Sequence, residues 1–337
     1  MCLYPKIIRN RKYTSNKKNN GIVPEIKDKR TEYVPVGCGK CMECKKQKSR
    51  AWAVRLQEEI KENKNGVMVT LTFTDEEIVR IEKEIPQGLE PYENDNEVAT
   101  WAVRHFLERW RKKYNKSVKH WLVTELGHQG TERIHLHGII FTDHKEEIQE
   151  KWKHGYVWMG KYVNMKTVNY IIKYVNKIDK DHPGYNQKVL CSPGIGSRYI
   201  GTRNQERNKY NDKKTLETYV TREGVQLNLP IYYRNKIYSD EERERLWIKK
   251  LDEGIRYVNG IKCTTDEQYY AVLKYQQARN VRLGYGTDEI EWSKKKYERD
   301  RRNLIKQERI KKIKENETQQ QETAYKYDLS TIRPLWA

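Results

Sequence analysis

The stretch Arg133-Ile134-His135-Leu136-His137-Gly138-Ile139-Ile140-Phe141 constrains this chain most. Side chains on a strand alternate between faces, so His135 and His137 share one side while Ile134, Leu136 and Ile140 line the other. The apolar side is suited to burial, which displays two imidazoles on a rigid element, as a metal site needs. A surface histidine pair on an edge strand is the blander reading of the same pattern. Trp121-Leu122-Val123-Thr124-Glu125 reads as a preceding strand joined through a glycine-bearing turn, so the Glu125 carboxylate registers near the imidazoles. Two nitrogens and one oxygen leave coordination positions open, which suits Mg²⁺ or Mn²⁺ polarising a phosphate.

The flanking segments alternate between the two regular periods. Trp52, Leu56 and Ile60 recur at helical spacing up to Asn65-Gly66, and Val67 to Phe73 is a β-branched run of strand length. Thr74 and Glu77 have the spacing of a reciprocal helix cap. Residues 83–97 read as a Pro/Gly/Asn loop, followed by a helix from Val98 to about Tyr114 and strands at 118–126 and 133–141. A helix at 143–153, a strand at 156–159 and a helix at 165–178 continue the series. The expected class is α+β, an antiparallel sheet core flanked by helices, with a cysteine-bearing arm and a charged helical extension. Expected divisions are 1–65 (basic arm, cysteines, helix), 66–180 (core), 181–240 (loop-rich continuation) and 241–337 (basic helical extension).

In Val168 to Ile178, a helical plot gathers Val168, Ile171, Ile172, Val175 and Ile178 into one stripe and places Tyr170, Lys173, Tyr174 and Lys177 opposite. Tyrosines usually pack, but this stripe is complete without them. Their hydroxyls are neighbours at i, i+4. A phenol is a poor nucleophile at neutral pH, so the Lys173 ammonium and a metal-bound phosphate would assist it. Attack on a DNA phosphodiester would leave a 5′-phosphotyrosyl link and a free 3′-hydroxyl, keeping the bond energy for rejoining. Two tyrosines permit a second cleavage while the first link persists.

Cys38-x-x-Cys41-x-x-Cys44 crowds three thiols too closely for a secreted disulfide framework and suits a soft metal in a reducing cytosol. Cys2 is the candidate fourth ligand of a structural Zn²⁺. An iron-sulfur cluster fits less well, because Lys48 stands where a further Cys followed by Pro would be expected. Free or disulfide-bonded cysteines are the remaining alternative. Such a site would pin the irregular basic arm of residues 1–37 and the Lys45 to Arg55 helix for DNA binding.

Lys and Arg outnumber Asp and Glu by 67 to 47, a net +20, and a polyphosphate partner is the simplest way to offset that self-repulsion. The 24 tyrosines, against three phenylalanines, would serve as base-stacking rings or reflect an A/T-rich coding bias. Between Lys294 and Lys314 there are 11 basic and 3 acidic residues, read as a charged helix or tail that holds DNA electrostatically. The run at Gln319 to Gln321 reads as disordered. Without a signal-peptide core or a long apolar run, a soluble, intracellular protein with no membrane partner is expected.

Together the histidine strand and the tyrosine helix resemble the HUH endonuclease superfamily. The segments Met1 to Lys6, Cys38 to Cys44, Thr124 to Gly127 with Arg133 to Gly138, and Tyr170 to Tyr174 look like those of the replication initiators of microviruses, especially gokushoviruses. The resemblance covers roughly residues 1–240. It implies rolling-circle initiation on origin and single-stranded DNA, with His135, His137 and Glu125 as metal ligands. Tyr170 and Tyr174 would be alternating nucleophiles, with Lys173 assisting. It also implies the cytoplasm of a bacterial host. The sequence holds no G-x-x-x-x-G-K-[ST] phosphate loop, so host helicase and replication proteins would be partners. The alternatives are another HUH enzyme (a plasmid initiator or transposase) and a non-catalytic, zinc-bearing single-stranded nucleic-acid binding protein.

Overall fold

In the computed structural model, residues 2–128, 132–182, 184–287 and 292–331 are described, apart from the side chains of 213, 292–298 and 324–331. The chain runs β1 (Lys6–Arg9), β2 (Tyr33–Val36), α1 (Met42–Glu62), β3 (Gly66–Leu71), α2 (Asp75–Glu82), α3 (Pro91–Tyr114), β4 (Lys119–Leu126), β5 (Ile134–Phe141), α4 (Glu146–Trp152), β6 (Val157–Met159) and α5 (Met165–Asn176). It continues with β7 (Val189–Cys191), α6 (Arg203–Glu206), β8 (Thr218–Val220), β9 (Gln226–Asn228), α7 (Ile231–Ile237), α8 (Asp240–Glu253), β10 (Arg256–Val258), β11 (Ile261–Cys263), α9 (Asp266–Arg282) and α10 (Trp292–Thr331). The class is mixed α+β. Among the described residues, no helix is long and apolar enough to cross a membrane. Two compact units form: Met1–Met68 with Lys161–Asn186 and Cys191–Ile290, and Val69–Gly160 with Gln187–Leu190 and Glu291–Ala337.

The second unit is built on a five-stranded antiparallel sheet of order β6-β3-β5-β4-β7. Val67, Val69 and Leu71 of β3 are buried while Thr70 and Thr72 are half-buried, as alternation requires of a strand with one covered face. Thr74 caps α2 by accepting from the Glu77 backbone N–H. The cap is not reciprocated, because the Glu77 carboxylate is taken by Arg80 and His154. The expected loop over 83–97 is a helix from Pro91 onward. Asn94 donates to Glu82, Asp95 pairs with Arg302 and Asn96 accepts from Thr124, so tertiary partners hold these poor helix formers in place.

The basic stretch expected to hold DNA is engaged within this unit. Arg301 and Arg302 of α10 reach the Glu132 carboxylate, Lys306 pairs with Glu82 and Arg309 with Asp75. Residues 319–321, expected to be disordered, continue α10 as an exposed helix.

In the first unit, residues 1–37 are more ordered than an irregular arm: β1 and β2 pair antiparallel, Lys6 opposite Val36. Tyr13 and Lys12 contact Glu244 of α8. Tyrosine serves here as core. Tyr199, Tyr219 and Tyr233 are buried around Val54, with hydroxyls bonded to Asn208, Glu58 and the Gly196 carbonyl. These rings need the partners that buried phenols require, so much of the tyrosine excess is structural.

Candidate metal centre and tyrosine pair

The β4–β5 pairing sets Glu125 directly opposite His135 and Val123 opposite His137. Opposed residues share a face, so the carboxylate stands between the two rings. Glu125 Oε2 lies 3.1 Å from His135 Nε2 and 2.9 Å from His137 Nε2. The Glu125 and His137 side chains are about nine-tenths buried, and His135 is 21% exposed, which leaves an opening toward solvent. Register is protected by Gly138: a Cβ there would strike the Trp121 carbonyl and come within 2.8 Å of Leu122 Cα.

The remaining ring nitrogens are also engaged. His135 Nδ1 is 3.3 Å from the Arg133 carbonyl, to which only an N–H can bond. His137 Nδ1 is 3.0 Å from the Thr70 hydroxyl on β3. With His135 Nδ1 protonated, its contact to the carboxylate either needs a second proton on the same ring or a cation shared between Nε2 and the oxygen. A divalent ion satisfies both nitrogens and the carboxylate at once, and outer partners on each Nδ1 are the usual companions of metal-binding histidines. The three groups therefore fit a metal, with coordination positions left for a ligand. Thr70 escaped the sequence reading, although alternation along Val69-Thr70-Leu71-Thr72 places it on the open face.

On α5, a reciprocal cap between Asn164 and Thr167 starts the helix. Val168, Ile171, Ile172 and Val175 are buried as the stripe requires, and the helix ends at Asn176 rather than Ile178. Tyr170 is 43% exposed, but Tyr174 is only 7% exposed and so joins the buried side instead of the polar one. The hydroxyls are 2.9 Å apart and the rings meet edge to face. Lys173 Nζ stands 3.8 Å from the Tyr170 ring centroid and 5.1 Å from that of Tyr174, a cation over aromatic faces rather than a donor to either oxygen.

Cys2, Cys38, Cys41 and Cys44 bring four sulfurs within 4.8 Å of one another, none in a disulfide. Cys2 and Cys41 Sγ are 3.8 Å apart. Zn–S bonds of ~2.3 Å in a tetrahedron imply sulfur–sulfur edges of roughly 3.8 Å. Backbone N–H groups of Tyr4 and Cys38 donate to Cys2 Sγ, and that of Cys41 to Cys38 Sγ. The hydrogen bond from Cys44 pulls the Cys41 thiol down to about 4, while burial pushes Cys2 up to about 11. Ionising all four needs a cation among them, so this set fits a metal too. Val258, Cys263 and Tyr269 pack against it, Met42 N–H bonds to Asn280, and Gln277 bonds to the Leu3 carbonyl. The hairpin β10–β11 and α9, read from sequence only as charged extension, are thus a lid on the cysteines.

No match emerged among curated proteins or solved structures. Residues 66–179, a segment that contains Glu125, both histidines and both tyrosines, match the family model of the replication-associated protein ORF2, which is consistent with a role in initiating DNA replication.

Proposed function

We propose that this protein is a rolling-circle replication initiator of the HUH type that nicks and rejoins single-stranded DNA at an origin. The observation that carries the reading is the set Glu125, His135 and His137, converging on one point with coordination positions left over. The continuous family match across that set and the tyrosine helix supports treating them as one functional segment. Mg²⁺ or Mn²⁺ held there would polarise a phosphodiester and offset its charge. In this reading a hydroxyl of Tyr170 or Tyr174 attacks phosphorus, the P–O3′ bond breaks, the 3′-oxygen takes up a proton and a 5′-phosphotyrosyl link remains. Reversal by a 3′-hydroxyl rejoins the strand. The bond between the two hydroxyls gives the attacking phenol an oxygen beside it to receive its proton. Lys173, over both rings, supplies positive charge near the developing phenolate. Cys2, Cys38, Cys41 and Cys44 hold a structural Zn²⁺. A microvirus-like replicon, a bacterial host cytoplasm and a host helicase belong to the same reading.

Labelled single-stranded origin DNA with Mn²⁺ should yield an adduct that survives SDS. It should be lost in EDTA and in Tyr170→Phe/Tyr174→Phe, and mass spectrometry of the conjugate should name one of those tyrosines. An adduct on another residue, or none with any single-stranded substrate, overturns the reading. A plasmid initiator or transposase would form the same adduct on a different DNA, so comparing phage-type origins with transposon ends separates these.

A further inference from the structure

The edge of the catalytic-type sheet carries two large rings that the fold does not use. Strand β6 ends the sheet, paired to β3 alone, with Trp158 opposite Thr70 and the Tyr156 carbonyl accepting from Thr72 N–H. Trp158 is 45% and Tyr156 66% exposed, whereas Val157 between them is buried with Val69 and Leu71. Thr70 is the residue whose hydroxyl meets His137. Opposed residues share a face, so Tyr156 and Trp158 lie on the same face as Glu125, His135 and His137. Two strand spacings, ~10 Å, separate β6 from β5.

We propose that Tyr156 and Trp158 form a stacking platform for bases of single-stranded DNA flanking the phosphodiester at the Glu125–His135–His137 site. The proposal rests on the proposed function only for the identity of the polymer. An exposed aromatic sheet edge invites unwanted pairing, and proteins ordinarily blunt it with charge or cover it. Here the rings are left open, while exposed Lys153 and Lys161 bracket them in sequence in a chain of net charge +20. Cations for phosphates beside rings for bases are the ingredients of sequence-tolerant single-strand binding. The rings are two residues apart, ~6.7 Å along the strand, which leaves each its own base.

The test reads binding without cleavage. Every protein carries Tyr170→Phe/Tyr174→Phe, the buffer contains EDTA, and anisotropy is measured with a labelled oligothymidylate and with an abasic oligomer of equal length. Tyr156→Ala and Trp158→Ala should each weaken oligothymidylate binding roughly fivefold or more. Affinity for the abasic oligomer and the salt slope should stay unchanged, because the phosphate contacts remain. Trp158→Phe keeps a ring and should restore most of the loss. Equal losses on both oligomers, no loss on either, or a protein dimer that Trp158→Ala dissociates without altering DNA affinity, would each overturn the proposal. A chain that never forms a covalent adduct can still show the base-dependent loss, so the two readings fail separately.

Discussion

The Thr70 hydroxyl meets His137 Nδ1 at 3.0 Å while the opposite nitrogen of the same ring faces Glu125 Oε2 at 2.9 Å. One ring is therefore held at both ends, and its orientation depends on a neighbouring strand. Thr70→Val keeps the shape and removes the hydroxyl. Mn²⁺ affinity, followed by calorimetry, should fall about 10- to 100-fold, with Thr70→Ser close to the parent. Glu125→Gln should lose more, since it removes a direct oxygen ligand. An unchanged Mn²⁺ affinity in Thr70→Val would leave the hydroxyl without a part in metal binding.

The four cysteines should hold one Zn²⁺ per chain by elemental analysis. Cys2→Ser or Cys41→Ser should lose the ion and speed proteolysis within residues 256–287, because β10–β11 and α9 pack directly on the sulfurs. Full zinc content in Cys2→Ser would remove Cys2 from the ligand set.

Arg302 is buried against Asp95 and Glu132, each side chain about nine-tenths hidden. Stripping one partner from a buried pair strands the other's charge. Arg302→Ala should thus cost about 3–5 kcal/mol in chemical denaturation, and removing Asp95 as well should cost much less than twice that. A loss below about 1 kcal/mol would show that α10 is an accessory rather than part of the folded unit.

Acid should loosen the α2 corner in two stages. His154 donates from Nδ1 to Glu77 and accepts at Nε2 from Arg109, an arrangement for the neutral ring, and burial holds it below its usual 6.5. Its folded value is depressed, so the stability it contributes is present above the unfolded value and declines as pH falls below 6.5. Arg80, and then His154, hold Glu77 down to about 2 from 4.5. That contribution is present above 4.5 and is lost as pH falls toward 2. Melting temperatures from pH 7 to 2 should show Glu77→Gln flatter than the parent below pH 4.5, and His154→Gln flatter between 6.5 and 4.5. Parallel curves would contradict the assignment.

Local patterns accounted for much of the second unit. Alternation located β3, β4 and β5, the short turn fixed the pairing of the last two, and from these the approach of Glu125 to His135 follows directly. What escaped depends on distant partners. Glu90 to Glu97 looks like a loop because Asn and Asp compete with a helical backbone, and it is a helix because Arg302 and Thr124 occupy those side chains. Tyr174 belongs to the polar side on a helical plot, yet its ring is turned in against Tyr170. The C-terminal third shows only charge and weak periodicity, so nothing local announces that α9 covers the cysteines or that α10 is clamped by carboxylates.

That interleaving has a consequence for biosynthesis. Leu3 and Met42 wait for Gln277 and Asn280, and Asp95 waits for Arg302. A ribosome delivers these partners more than 200 residues after the groups they satisfy, so a nascent chain carries an open thiol cluster and an uncompensated buried carboxylate until translation is nearly over. Messages cut short upstream of codon 302 should yield insoluble or degraded product rather than a shorter working protein.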